Sequence, residues 1–356
     1  ITNTANVFDP SSPAMYFTKA LFDQQSQYKN IISNTTTYRP IRIINTPPVS
    51  PWNLIPKEDY IFTDVKFAGA SVLLGMETMA VNDTMDFTFL KQQAPATPEF
   101  ISGTLTYNTH FGGGVLGSQP YLLQTVQANN LNPKFDGGVL TARKWSRAVF
   151  NDLLCRSLPV VRGADGAAYV DVSSSIAFRQ SMSCVKCHTS MDRMAGVTRG
   201  VVYDQSAGKF FNLGHSAFIS QRTVDKSAAD IFPTDPDADF YRRPTQGQLF
   251  YREHDGKLVD LAINNVEELG EKLSQEDGIY NCLAKRYYQF FTGISVDIGD
   301  IADPQHGILS QEELALRAIV LQLGQQLKTH QNPRMTIESI LRRSEYRKSN
   351  YNVGSF

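Results

Sequence analysis

Ile279-Tyr280-Asn281-Cys282-Leu283-Ala284-Lys285-Arg286-Tyr287-Tyr288-Gln289-Phe290-Phe291, with Gly293 two residues beyond, is the stretch that sets the fold class. Ile279, Cys282, Leu283, Tyr287, Phe290 and Phe291 recur at helical spacing, which predicts an amphipathic helix that Gly293 ends. The aromatic run from Tyr287 to Phe291 reads as helix core rather than as an electron path. On either side the pattern stays helical. Asn264 or Asn265 can cap a helix carrying Val266, Leu269 and Leu273, and Asp277-Gly278 breaks it. Ser310-Gln311-Glu312-Glu313 is a capping box opening a helix through Leu314, Ile319, Leu323 and Leu327. A last helix carries Ile337, Ile340 and Leu341.

Further upstream the pattern becomes mixed. Residues 142–158 predict a helix with Trp145, Ala148, Val149 and Leu153 on one face, stopped by Pro159, with Cys155 in its last turn. Ser11, Ser12 and Pro13 open another helix. Residues 61–67 and 104–109 have strand composition, the latter followed by His110 and the run Gly112–Gly114. Residues 201–213 and 248–263 predict hairpins turning near Ala207-Gly208 and at Asp255-Gly256. Residues 34–56, rich in Thr, Asn and Pro, read as an extended connector, and 230–244 as an acidic surface loop. The expected class is therefore mainly α with small β-hairpins (α+β), organised as an N-terminal region 1–110, a middle domain 111–263 and a helical C-terminal domain 264–356.

Composition narrows the partners. The 356 residues carry 34 Lys+Arg against 35 Asp+Glu, a net charge of -1, so nothing in the balance attracts nucleic acid or an anionic membrane. The longest apolar stretch, 67–81, is interrupted by Gly69, Gly75 and Glu77 and predicts no membrane span. The chain opens at Ile1 without a secretory leader in view, which reads as a mature, processed or truncated start.

The 4 cysteines are unevenly placed, and that unevenness carries the chemistry. Ser183-Cys184-Val185-Lys186-Cys187-His188-Thr189 contains Cys-x-x-Cys-His, the attachment signature of c-type haem. Two thiols one helical turn apart can form thioethers to the two vinyl groups of a porphyrin, and the adjacent His188 then swings under the ring as proximal iron ligand. A zinc site would want four ligands and a second pair, and a thioredoxin-like dithiol a βαβ context; neither accompanies the motif. One covalent haem c is the expected cofactor, so that 111–263 is expected to be a cytochrome c-like haem-attachment domain. The Nδ1–H of His188 is expected to be held by a backbone carbonyl or water. For the sixth ligand, His110 is the leading residue, with Met335, His215 and an open iron as alternatives. Met191 and Met194 follow His188 too closely to reach the other haem face. Lys186, Arg193 and Arg199 are candidate propionate partners. Asp235-x-Asp237-x-Asp239 lacks the Gly and Glu of a calcium loop, since Phe240 and Gln246 stand in their places.

Cys155 and Cys282 both fall on apolar helix faces, where a thiol can be a buried small hydrophobe. Haem is attached to c-type proteins outside the cytoplasm, however, where two leftover thiols tend to oxidise, so a Cys155–Cys282 disulfide is expected. Both inferences point to a periplasmic or cell-surface protein.

The order of these motifs resembles the large bacterial cytochrome-like proteins of Planctomycetes and Deltaproteobacteria built from consecutive domains of unknown function 1592, 1588 and 1585. The likeness rests on Gly113–Ser118 with Arg143-Lys144-Trp145 through Cys155 and Pro159, on Cys184–Asp192, and on Tyr280-Asn281-Cys282 through Gly293 with 340–346. It covers residues 110–350, with 15–45 as the tail of a first domain whose beginning is missing. Arg193 replaces a family proline, and Met194-Ala195-Gly196 adds a residue before the glycine. The resemblance implies a secreted or periplasmic c-type haem protein, while its reaction stays open. Three functions are expected in order: a monohaem electron-transfer subunit meeting a redox partner or envelope complex, a haem oxidoreductase of peroxidase or oxygenase type with an open distal site, and an interaction protein stapled by haem.

Overall fold

The computed structural model describes residues 12–22, 27–33, 36–40, 76–80, 84–86, 105–108, 112–126, 139–174, 177–198, 201–204, 218–222 and 245–351. These form a mainly helical α+β arrangement in which antiparallel strands lie between helices. Helix α1 spans Ser12–Phe22, α2 Asn30–Ser33, α3 Gln119–Val126, α4 Val139–Leu153, α5 Gly163–Ala167 and α6 Met182–Ala195. The C-terminal helices are α7 (Val266–Leu273), α8 (Gly278–Thr292), α9 (Gln311–His330), α10 (Pro333–Leu341) and α11 (Ser344–Tyr351).

Helix α4 is the inner pillar. Trp145, Val149 and Phe150 have no exposed surface, and the Trp145 indole N–H donates to the Leu116 carbonyl at 3.0 Å. That carbonyl belongs to a 3-10 turn, Gly114–Gly117, which opens on the last of three consecutive positive-φ glycines, Gly112, Gly113 and Gly114. The glycines are required by crowding: a Cβ at Gly114 would lie 1.9 Å from the Ile31 carbonyl of α2. Gly270 of α7 also approaches α2, where a Cβ would lie only 1.7 Å from the Ile32 carbonyl. Gly270→Ala is therefore expected to force α2 and α7 apart, at a cost of about 1–3 kcal/mol or more, read as a lowered urea midpoint with an unchanged slope.

The helix α4 ends earlier than its sequence pattern predicts. Cys155 lies outside it with φ 53°, and the Arg156 N–H turns back to the Phe150 carbonyl at 2.8 Å. The left-handed residue stops the helix four positions before Pro159, so Cys155 sits on the exit bend rather than in the last turn.

Strand pairing follows the expectation at one site and departs from it at another. β7 (Gly247–Arg252) and β8 (Leu258–Ile263) form the hairpin turning at Asp255-Gly256, where Gly256 has φ 82°. β5 (Val201–Asp204) instead pairs with β6 (Phe218–Arg222), in register Val201↔Gln221, so its partner strand lies beyond the 201–213 span that the sequence suggested. β6 also pairs with β4 (Leu105–Asn108), and β4 with β3 (Thr84–Asp86), giving the sheet order β3-β4-β6-β5. Inside the stretch read as an extended connector, β1 (Thr36–Pro40) pairs with β2 (Met76–Ala80). The strand expected at 61–67 and the acidic loop with Asp235, Asp237 and Asp239 lie outside the described residues.

The C-terminal helices keep their predicted signals. Asn265 caps α7 by accepting from the Glu268 N–H, and Ser310 and Glu313 close both halves of the capping box of α9. The stripe on α8 is shifted from the sequence reading. Tyr288 is fully buried, while Phe290 is 79% exposed, because the second half of α8 covers α9 and α10 through Ala284 and Tyr288. Leu314, at the start of α9, is likewise exposed. One hydrophobic cluster draws on all three expected spans, from Tyr16 and Ile32 through Trp145 and Met194 to Leu249, Leu269 and Leu327. Cys155 and Cys282 are joined in a disulfide with Cα atoms 5.1 Å apart, tying the α4 exit bend to α8. Among the described residues no helix is long and apolar enough to cross a membrane.

Charge pairs hold the loops around the β7–β8 hairpin. Arg252 grips Asp165 through two bonds, and Arg162 grips Asp300 at 2.7 and 2.9 Å. Arg317, only 4% exposed, donates to the carbonyls of Asp297, His254 and Gly299. The hydrogen bond from Arg252 holds Asp165 below its ordinary carboxyl value. At Asp300 burial alone would act upward, but the bond from Arg162 brings it below as well. Glu253, where burial also opposes, is held down by the neighbouring His254 and by hydrogen bonds from the Tyr251 hydroxyl and the Gly278 N–H. Carboxyls depressed in the folded state stabilise it at pH above their unfolded values, about 3.9–4.3, and lose that contribution as pH falls through the folded values. The thermal midpoint is therefore expected to be level, as far as these groups set it, from neutrality to about pH 5 and to fall steeply below about pH 4; a midpoint flat down to pH 3 would contradict this.

Candidate functional site

Helix α6 carries the Cys-x-x-Cys-His motif. Its first turn is set by the Ser181 carbonyl, which accepts from the Cys184 and Val185 N–H groups at 3.1 and 2.9 Å. No glycine or proline interrupts it before Gly196. Val185, Thr189, Ser190, Met194 and Ala195 are its buried residues, while Cys184, Cys187 and His188 stay partly exposed. At about 100° per residue the two cysteines and His188 share one face roughly 100° wide.

Both thiols are free. Burial raises the Cys187 thiol, the neighbouring Cys184 adds to the rise, and the charges of Lys186 and Arg147 offset part of it. Cys187 is thus a protonated thiol near neutrality.

His188 is held by contacts to its ring face and to Nδ1. Its ring stacks on Phe178 with centroids 4.1 Å apart and planes 15° from parallel. Phe178 belongs to the 3-10 turn Ala177–Arg179 leading into α6. One helical turn on, the Asp192 carboxylate lies 3.1 and 3.2 Å from Nδ1 of His188. Arg143, reaching across from α4, donates to both oxygens of that carboxylate at 2.7 and 2.9 Å, and its guanidinium lies 4.8 Å from the Phe178 ring centre. Burial would raise the Asp192 carboxyl, but the bonds from His188 and Arg143 together hold it below its ordinary value. The ionised carboxylate is an acceptor for an Nδ1–H, and the tautomer that donates there leaves Nε2 with a lone pair. The sequence expectation of a backbone carbonyl or water at Nδ1 is corrected here: an i,i+4 carboxylate on the same helix reaches the ring first.

The other candidates are distributed differently. His110, the leading distal ligand, and also His215 and Arg199 lie outside the described residues. Met335 is about half exposed on α10, whose main neighbours are α8, α9 and α1. Met194 is fully buried in the main core and Met191 partly buried on α6. Lys186 donates to Gln305 at 2.6 Å, and Arg193 lies over the rings of Tyr169 and Phe250 and donates to Gln248, so both have structural partners of their own. His254 engages Asn281, His306 engages Asp297 and the Gly307 carbonyl, and His330 accepts from the Asn332 N–H. Among the described residues no three His, Cys, Asp or Glu side chains gather to enclose a metal ion. A porphyrin supplies four nitrogens to its iron, so one protein nitrogen with a free lone pair, beside two free thiols on the same face, fits that group. Neither Arg143 nor Phe178 has a periodic relation to the motif, so the sequence does not place either beside His188, whereas the His188–Asp192 spacing is a legible signal.

No protein-family model, no curated protein and no solved structure matches this chain.

Proposed function

We propose that the chain is a monohaem c-type cytochrome acting outside the cytoplasm, as an electron-transfer subunit that meets a redox partner in an envelope assembly. The observation that carries the reading is the shared face of α6, where two free thiols one turn apart stand next to a histidine whose Nδ1 is already engaged. Bound haem supplies a one-electron couple at iron. The chain supplies attachment, orientation and insulation. Cys184 and Cys187 would hold the group covalently, each S–H adding across one vinyl C=C with a C–S bond formed and the proton passed to the terminal carbon, a step that would need no oxidant or reductant. Helix α6 fixes the spacing of the two thioethers, and His188 offers Nε2 on the same side. The disulfide, together with the resemblance of the Cys184–Asp192 motif to bacterial cytochrome-like proteins, supports an oxidising compartment.

The test is a pyridine haemochrome spectrum of the protein produced in a host that exports it and attaches haem. A c-type spectrum with one haem per chain is the expected result; a protein exported, folded and free of covalent haem would overturn the reading. Carbon monoxide added to the reduced protein then separates an electron carrier, which leaves it unbound, from a catalyst with an open distal site.

A further inference from the structure

We infer that Asp192, clamped by Arg143, is a positioning residue that strengthens the donation of His188 to iron and so lowers the reduction potential of the bound haem. This rests on the proposed attachment of haem at Cys184 and Cys187. Three contacts fix the imidazole: the helix that carries it, the Phe178 ring against its face and the Asp192 carboxylate at Nδ1. A neutral carbonyl at Nδ1 would orient the ring equally well. A carboxylate does more, because a charge-assisted bond draws the Nδ1–H proton toward oxygen and leaves more electron density on Nε2. A stronger donor nitrogen stabilises Fe(III) relative to Fe(II), and hydrogen bonding around the ligand is one of the protein's levers on haem potential.

Arg143 has two effects. Its two parallel bonds hold the carboxylate in the plane it needs, and its positive charge takes up part of the anion that would otherwise act on His188. The pair therefore sets an intermediate donor strength, and its two members push in opposite directions. Loss of Asp192 weakens donation, whereas loss of Arg143 leaves the i,i+4 contact in place with an uncompensated carboxylate.

The experiment is a spectroelectrochemical titration of the haem-loaded wild type, Asp192→Asn, Arg143→Gln and Arg147→Gln. Arg147 stands one turn from Arg143 on α4 and is exposed, so its loss measures the effect of removing a positive charge without touching Asp192. Expected are a rise in potential for Asp192→Asn equal to about a tenfold change in the Fe(III)/Fe(II) constant, about 59 mV, and a fall for Arg143→Gln larger than that for Arg147→Gln. Simple loosening of the site would move the first two variants in the same direction. Shifts of the same sign, or an Arg143→Gln shift no larger than the Arg147→Gln shift, overturn the inference while covalent haem in the wild type leaves the proposed function standing. If Asp192→Asn fails to retain haem, the comparison of the two arginine variants decides by itself. A wild type without covalent haem overturns both.

Discussion

Replacing both Cys184 and Cys187 with alanine is expected to yield a folded protein that carries no covalently attached haem. The two thiols are the only free ones in the chain, the other pair being spent in the disulfide. Both lie on the partly exposed side of α6, while its packing rests on Val185, Met194 and Ala195, so the change removes the proposed attachment chemistry and spares the core. The far-ultraviolet circular dichroism should match that of the wild type, and haem staining on a denaturing gel should be lost entirely. Either single variant should keep one thioether, and with it a haem that survives denaturation but shows a pyridine haemochrome band displaced by the remaining vinyl group. Covalent haem persisting in the double variant would sink the assignment of the motif.

Removing the Cys155–Cys282 bridge, with alanine at both positions, should cost about 4–5 kcal/mol of stability, which is a large part of what a domain possesses. The two cysteines are separated by 127 positions, and the loop they close contains α5, α6 and the β7–β8 hairpin. Most of the effect is expected in the unfolded chain, where the cross-link restricts a long loop. Alanine itself adds little, since only one small side-chain atom is lost at each site. Urea unfolding of the variant, and of the wild type with and without reductant, checks this. Reduction should bring the wild type close to the variant. A difference below about 1 kcal/mol would show that the bridge is incidental.

Local signals were legible wherever they depended on neighbours in the chain. The caps at Asn265 and Ser310, the turn at Asp255-Gly256 and the helix around Trp145 follow from short-range chemistry, and the structure has them where the pattern put them. Boundaries fared less well. Cys155 looked helical because nothing before Pro159 forbids a helix, yet the chain bends at Cys155 itself, where the structure has a left-handed residue and a disulfide. Phe290 looked like core because its spacing suited a helical stripe, but burial depends on which flank of α8 the partner helices cover, and they cover Ala284 and Tyr288. The pairing of β5 with β6 could not be read from a turn signal, because the partner strand starts fourteen residues after β5 ends.

The same division runs through the site. Covalent order alone sets the chemistry on offer: two thiols and an imidazole on one helical turn, an acid one turn later, and two further cysteines available to pair. These are consequences of covalent order and helical period, which need no partner from elsewhere in the chain. Packing between distant segments sets which atoms of that set are already engaged. The packing of α4 against α6 delivers Arg143 to Asp192, the turn before α6 lays Phe178 on His188, and together they fix the ring with Nδ1 engaged. Those contacts join residues as far apart as 49 positions, and such distances in sequence are set by how the helices pack rather than by any local preference.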